Sequence, residues 1–568
     1  MTRLLQQRFP KLGHGGRVLL NPVPSAVDGG TRREAPAESS VLLQKTLPLS
    51  RNLISFALPI AFLCGFLVLL VSPYGPRLSP DSGGYILMAS EAYRNGPLGI
   101  TIDQWPPGLP WLLWLVMLVI GPDALFAGLI VNSLSIGACC FVLSYGILEV
   151  LQSQRTFASE YNSVLSVLLC TFLSLVLVSA TVHSTIASHV WSEAPFLACV
   201  SLGLWFLTQP GKKGWALLFC ALSCSIRFVG VFTFPVVLYH LLSRAILNKR
   251  KMKEILSYAP ASFGAALLIL STVFFFIQSS LWQQRGNPRL RKSLMQCVAD
   301  YAETFLGLLS PSGIELSLRA FVVTSIISLV LIGVGTWMML KGQTFEHKAN
   351  VFPWENEAVW LLWIVVYSLG VSHLMAKNGI GETHRFVTPI LTAFLWLGVR
   401  WILWLPSPRF RNGLLLSLVL LLSLNMKSAI AASVQSFQQE NRARVLISGP
   451  HVRATDEFKA TKRIASQAQS IYFVGVQEGS RRWAQILAGF FNCRRMYFST
   501  VGNVPQRFDF HEPTLVVSDT KEVPFIDYLR EQNALLFEGE KLQFALWLVK
   551  PTATQANLLV EPFSEGCE

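Results

Sequence analysis

Leu78-Ser-Pro-Asp81-Ser-Gly-Gly-Tyr85, followed by a second Pro/Gly-rich stretch at Trp105-Pro-Pro-Gly-Leu-Pro110, comes directly after the first long apolar segment of the chain. A stretch in that place sits at a membrane face, just outside the bilayer. An acid there, in a Gly/Pro-rich turn ahead of a short amphipathic run, is placed to act as a catalytic base. Asp81 before Ser-Gly-Gly-Tyr is also an acceptable helix N-cap, and residue type alone favours the cap. The surroundings of the stretch reverse that order.

Outward from Asp81 the chain is dominated by apolar runs. Runs of roughly 18 residues or more, each long enough to cross a bilayer as a helix, recur between positions 53 and 432. Of the 568 residues, 52% are hydrophobic and only 14% charged, and the mean hydropathy is +0.45. These values exclude an ordinary soluble protein. The net charge of +14 would suit nucleic acid, but the basic residues cluster between apolar segments on alternate sides. That is the positive-inside pattern, so membrane lipids are the expected surroundings and no nucleic-acid partner is expected.

Residues 1–50 are polar, basic and interrupted by Pro and Gly, and read as a disordered cytoplasmic tail. They are too long and polar for the front of a cleaved signal peptide, so 53–73 is expected to be an uncleaved first span. Residues 106–121 are apolar but short and begin with Pro-Pro, which points to an interfacial or re-entrant helix. Spans are expected near 125–148, 162–182 and 190–208. Two short segments, 214–228 and 229–243, make a broken helical hairpin around Arg227. Further spans fall near 256–280, 319–341, 357–375, 386–405 and 412–432. About eleven spans from an inside N-terminus put Lys212/Lys213, the 244–253 basic cluster, Lys341/Lys348 and Arg409/Arg411 in the cytoplasm, each in accord with the positive-inside rule. Were 106–121 to cross, the most basic loop would lie outside.

The fold class expected is therefore an α-helical polytopic membrane protein over residues 51–432, followed by a small extracytoplasmic domain over 433–568. In that last part, amphipathic helical runs alternate with short strand-like ones such as Ser470-Ile-Tyr-Phe-Val-Gly475, Thr514-Leu-Val-Val-Ser518 and Phe544-Ala-Leu-Trp-Leu-Val549. An α/β or α+β fold follows. Most cysteines lie in apolar segments, where a thiol packs as a small hydrophobe. Cys297, Cys493 and Cys567 fall outside those segments, and no metal-ligand spacing links them.

Charged groups at or within apolar segments are costly and mark functional sites by default. Four stand out: Asp81, with Glu91 and Asp103 as lesser acids nearby; Glu193 in His189-Val-Trp-Ser-Glu193-Ala-Pro-Phe196; Arg227 in Ser225-Ile-Arg-Phe-Val-Gly230; and Arg385 in Gly381-Glu-Thr-His384-Arg385-Phe-Val-Thr-Pro389. The topology brings all four to the outer face. Two acids and two arginines there suit transfer from a phosphate-linked donor. A carboxylate takes a proton from an acceptor hydroxyl or amine, and guanidiniums hold the phosphate as it leaves. Each residue also has a bland role. Glu193 could cap its helix or pair with His189, and the arginines could snorkel to the interface. The outer basic residues Arg285, Arg289, Arg291 and Lys292 suit a lipid phosphate or a solvated charge run equally.

Ser-Pro-Asp81-Ser-Gly-Gly-Tyr85-Ile-Leu-Met-Ala89 with Trp-Pro-Pro-Gly-Leu-Pro-Trp-Leu-Leu resembles the first-loop signature of the polytopic GT-C glycosyltransferases. More narrowly it is similar to the dolichyl-phosphate-mannose protein mannosyltransferase-like group (glycosyltransferase family 39-like), related to the lipid A aminoarabinose transferases. Ser192-Glu193-Ala-Pro-Phe, Arg227-Phe-Val-Gly with Pro235, and His384-Arg385-Phe-Val-Thr-Pro389 resemble later landmarks of that family in the same order. One departure stands out: Ser82 follows Asp81 where many relatives carry an Asp-Glu pair. The resemblance implies inverting transfer of one sugar from a polyprenyl-phosphate donor, at the extracytoplasmic face, to a lipid, glycan or protein acceptor. Asp81 would be the base and Glu193 a second acid. Arg227, Arg385 and His384 would contact the donor phosphate, and Tyr85 and Asp103 would lie towards the acceptor in the first loop. Some GT-C enzymes use a divalent metal and others dispense with it; without a two-acid ligand spacing, no metal is expected to be required and no other cofactor is implied. A multi-pass protein of a bacterial inner membrane, with its site facing outward, is the expected setting; an endoplasmic reticulum membrane with a luminal site shares this topology. A transporter or flippase of a lipid-linked or anionic substrate is the rival reading; it predicts functional charges near the bilayer midplane and paired half-structures, and neither is found.

Overall fold

The structure is a computed structural model that describes residues 38–70, 76, 78–100, 105–153, 161–209, 212–247, 293–309, 354–378, 384–403, 405, 411–420, 422–423, 426 and five strands between 470 and 549. The expected spans at 256–280 and 319–341, the basic residues at 285–292, Asp103, and Cys493 and Cys567 lie outside them. Helices follow in the order α1 (Glu38–Leu70), α2 (Pro80–Asn95), α3 (Gly108–Ile120), α4 (Ala124–Ser153), α5 (Tyr161–His183), α6 (Glu193–Thr208), α7 (Lys213–Ile226), α8 (Thr233–Leu247), α9 (Leu294–Leu309) and α10 (Trp354–Asn378). After these come a single turn His384–Val387, a 3-10 turn Thr388–Ile390, α11 (Leu391–Leu403) and α12 (Arg411–Leu420).

Among the described residues, five helical stretches are long and apolar enough to cross a membrane: Leu53–Leu70, Ala124–Leu151, Val164–Val182, Glu357–Ala376 and Arg385–Leu403. The chain is an integral membrane protein by this measure. At 13 residues α3 is short, as its Pro-Pro start and length lead one to expect. In α4 the buried residues Ile136, Cys139, Cys140, Leu143, Ile147 and Val150 recur at three- and four-residue spacing and form one stripe facing the core. On α1 the large apolar side chains Phe62, Leu63 and Phe66 are exposed, the arrangement a lipid solvent favours. Trp360, Trp363, Trp396, Tyr367 and Phe196 fill the centre, with Trp360 and Trp396 stacked at 4.7 Å.

One local feature differs from expectation, and a second decides between the two roles weighed for Asp81. The first helix reaches back to Glu38, into the segment expected to be a disordered tail; Leu42, Leu43, Gln44 and Lys45 are all good helix formers. The cap of α2 is Ser79, not Asp81. The Ser79 side chain accepts from Ser82 N–H, and Pro80 takes the first helical position, where a missing N–H costs nothing. Asp81 is thus freed for another partner.

The strands β1 (Ser470–Val474), β2 (Arg495–Phe498), β3 (Thr514–Ser518), β4 (Leu535–Phe537) and β5 (Ala545–Val549) form one sheet in the order β2-β1-β3-β5-β4. β1 runs parallel to β2 and β3, and β5 antiparallel to β3 and β4. Tyr472 and Val516, paired across β1 and β3, are buried. Parallel neighbours require long crossovers, and the connecting residues, where helices of the expected α/β domain would fall, lie outside the described ones.

Candidate active site

Four segments distant in sequence deliver the charged side chains. α2 carries Asp81 in its first turn, and α6 carries Glu193 at its first residue; both carboxylates lie where a helix N-terminus favours negative charge. Arg227 stands where the chain leaves α7. Its extended backbone (φ −145°, ψ 135°) breaks the helix before the 3-10 turn Phe228–Phe232. Arg385 sits in the turn His384–Val387 that precedes the Thr388–Ile390 break.

Close packing sets these segments against each other. A Cβ on Gly84 would fall 2.2 Å from Trp105 Nε1, and one on Gly108 would fall 2.6 Å from the Ser225 backbone. Glycine therefore lets Trp105 lie on α2 and lets the start of α3 abut the end of α7 beside Arg227. Tyr301 and Tyr367 both donate to the Phe386 carbonyl, at 3.5 and 3.2 Å, and hold the turn that bears Arg385.

The four charges form one network. Arg385 Nη1 donates to Asp81 Oδ2 at 2.8 Å, and its Nε lies 3.2 Å from Glu193 Oε1. The same Glu193 oxygen pairs with Arg227 Nη1. Phe196 and Phe386 flank the Arg227 guanidinium, with Cζ 5.9 and 5.4 Å from the ring centroids. Burial divides the network into halves. Glu193 and Arg227 are 2% and 11% exposed, whereas Asp81 and Arg385 are 25% and 24% exposed. The inner pair is a fixed ion pair; the outer pair can be reached by a ligand.

Tyr85 is buried beneath the pair. It donates to Ser192 Oγ at 3.0 Å and lies 5.7 Å from Trp105, ring to ring. Burial, reinforced by the carboxylates of Glu193 and Asp81, pushes its hydroxyl up to about 12, so it serves as a hydrogen-bond donor and not as a base. His189 Nδ1 faces the Thr185 carbonyl at 3.0 Å. His384 begins the Arg385 turn, and its side chain is outside the described set. Among the described residues, no three His, Cys, Asp or Glu side chains converge as a metal site.

A second charged cluster is absent from the positions singled out by sequence. Arg400 bonds Glu357 Oε1 at 2.7 Å, Glu149 Oε2 at 3.2 Å and the Gly146 carbonyl at 2.8 Å. Fifteen residues of helical path separate it from Arg385, about 22 Å at the α-helical rise, so it belongs to the other end of the bundle. It ties α4, α10 and α11 together. A charge at 357, 400 or 149, inside or at the edge of an apolar run, was the available signal.

No protein-family model matches the sequence, and no curated protein matches it. Among solved structures, the chain is similar to the crystal structure of ArnT from Cupriavidus metallidurans bound to undecaprenyl phosphate. The TM-score is 0.51 at 13% identity over 90% of this chain and 98% of that one. The apo structure of the same protein aligns with a TM-score of 0.48 at 12% identity, over 89% of this chain and 98% of that one. At such identity the likeness is one of fold. It extends over nearly the whole chain, and the fold is of the GT-C type.

Proposed function

We infer, for a chain with this GT-C fold, that it is a membrane glycosyltransferase moving a sugar from a polyprenyl-phosphate donor to a lipid, glycan or protein acceptor. The observation that carries this reading is the joining of Asp81, Glu193, Arg227 and Arg385 in one network whose outer half is open to a ligand. The ArnT structure with undecaprenyl phosphate bound supports the donor class through its shared fold.

In this reading the donor phosphate takes the place of Asp81 on Arg385 and is held there with help from Arg227. Asp81, released, takes the proton of the acceptor hydroxyl or amine. The acceptor atom bonds to the anomeric carbon as the bond from that carbon to the phosphate oxygen breaks. The electron pair leaves on polyprenyl phosphate, where the guanidiniums stabilise it. A single displacement inverts the anomeric centre. Glu193 holds both arginines in place, and Tyr85 keeps Ser192 and the α6 start against α2. His384 and Asp103 would complete the donor and acceptor sides. Arg227 and Arg385 provide the positive charge for the leaving phosphate in this reading, and no metal is taken to be required. The site would face outward from a bacterial inner membrane. Purified Asp81→Asn protein is the test: transfer should be abolished with folding unchanged, and full activity would overturn the assignment of the base.

A further inference from the structure

The segment leading into α6 has features the reaction does not use. Thr185 has φ +63°, a left-handed conformation that a β-branched residue keeps only where its surroundings over-determine it. Here the Thr185 carbonyl accepts from the N–H groups of Ser188 and His189 and faces His189 Nδ1. From α4, Asn132 Nδ2 donates to the carbonyls of Ala187 and His189 at 3.1 and 2.6 Å. The imidazole so fixed is a support on which the Trp191 ring stacks, 4.2 Å between centroids and 21° between planes. Arg385 Cζ lies 4.9 Å from the centroid of that same tryptophan. The Trp191 Nε1–H donates to Ser79 Oγ at 2.5 Å, and Ser79 caps the helix that carries Asp81.

We propose that Trp191 is a positioning residue for donor recognition: its ring fixes the Arg385 guanidinium in the orientation that receives the phosphate, and its N–H ties that guanidinium to the helix of Asp81. The proposal rests on the donor reading above. During the exchange of carboxylate for phosphate Arg385 keeps Glu193 on its Nε and the Phe386 ring 5.2 Å from its Cζ, but its Nη1, which receives the phosphate, loses the Asp81 partner that oriented it. An aromatic face holds the planar guanidinium without competing for its N–H donors, so less ordering remains to be done when the phosphate binds. A lysine at 385 would gain less from the same ring, since its ammonium has no plane to align.

The experiment titrates full-length protein in nanodiscs with undecaprenyl phosphate, for wild type, Trp191→Phe, Trp191→Leu, Arg385→Lys and the Trp191→Leu/Arg385→Lys double variant. Trp191→Leu should weaken binding about tenfold, while Trp191→Phe, which keeps a ring face, should stay within about threefold. In the Arg385→Lys background, Trp191→Leu should cost less than about threefold, because the two side chains act together. Unchanged binding by Trp191→Leu overturns the proposal, as does an equal loss in both backgrounds, which would mark a purely structural ring. Should Trp191→Leu fail to fold, Trp191→Met carries the same comparison. Failure of the wild type to bind the probe overturns the donor reading itself.

Discussion

Glu193→Gln tests the inner half of the site. The substitution keeps shape and hydrogen-bonding atoms but removes the charge that faces both arginines. Arg385 is a quarter exposed and keeps Asp81 at 2.8 Å, so its share of the loss is small. Arg227, 11% exposed, loses the carboxylate it faces. Removing one partner of a buried ion pair costs about 3–5 kcal/mol, because the remaining charge is left uncompensated. With Asp81 still in the network, the low end, about 3 kcal/mol, is expected. Equilibrium unfolding in detergent graded with SDS would measure it, in a cycle with Arg227→Met and the double variant. Each single variant should lose about 3 kcal/mol and the double little more than either, a coupling of roughly 2–3 kcal/mol. An anion that occupies the site should stabilise Glu193→Gln more than wild type, since it restores the missing charge. A coupling below about 0.5 kcal/mol, in the range of exposed pairs, would refute the division into a fixed inner and an open outer pair.

Asp81→Asn should lower the transfer rate by at least about a hundredfold while binding undecaprenyl phosphate no more weakly than wild type, because Arg385 is released from its carboxylate; rate and affinity measured on one preparation check both. Arg400→Met should cost about 3–5 kcal/mol by stranding the fully buried Glu357, with donor affinity per folded molecule unchanged; unfolding and lipid titration separate the two. Tyr85 ionises near its ordinary 10.0 when unfolded and at about 12 when folded. As pH rises the unfolded chain gives up its proton first, so this group's contribution is intact below pH 10 and is lost between about 10 and 12. Tyr85→Phe should remove that part of the alkaline slope in a pH series of unfolding midpoints.

The membrane class was legible because length and apolarity suffice to mark a span: the five long helices fall where apolar runs were read. The break at Arg227 was legible too, since Arg followed by Phe-Val-Gly and, later, Pro235 interrupts an apolar run. Capping at α2 was not. Ser79 and Asp81 are both cap residues, and the choice turns on Pro80 fitting the first helical position, a matter of geometry. The meeting of Asp81 with Arg385, 304 residues apart, was legible only as placement on one face; which arginine takes which acid depends on packing at Gly84, Gly108 and Phe386. Trp191 and Arg400 gave weak signals for opposite reasons. A tryptophan near a membrane interface is ordinary, so its contact with Arg385 has no mark in sequence. Arg400 lies in an apolar run beside Trp401, but its partners Glu149 and Glu357 come from two other helices.

The most direct measurement supplies purified protein in nanodiscs with a panel of radiolabelled polyprenyl-phosphate sugars and a crude acceptor extract. It follows release of polyprenyl phosphate from wild type and Asp81→Asn side by side. Release from one donor by wild type, lost in Asp81→Asn, is the predicted result and names the sugar at the same time. No release from any donor would contradict the account and turn attention to transport of a lipid-linked substrate.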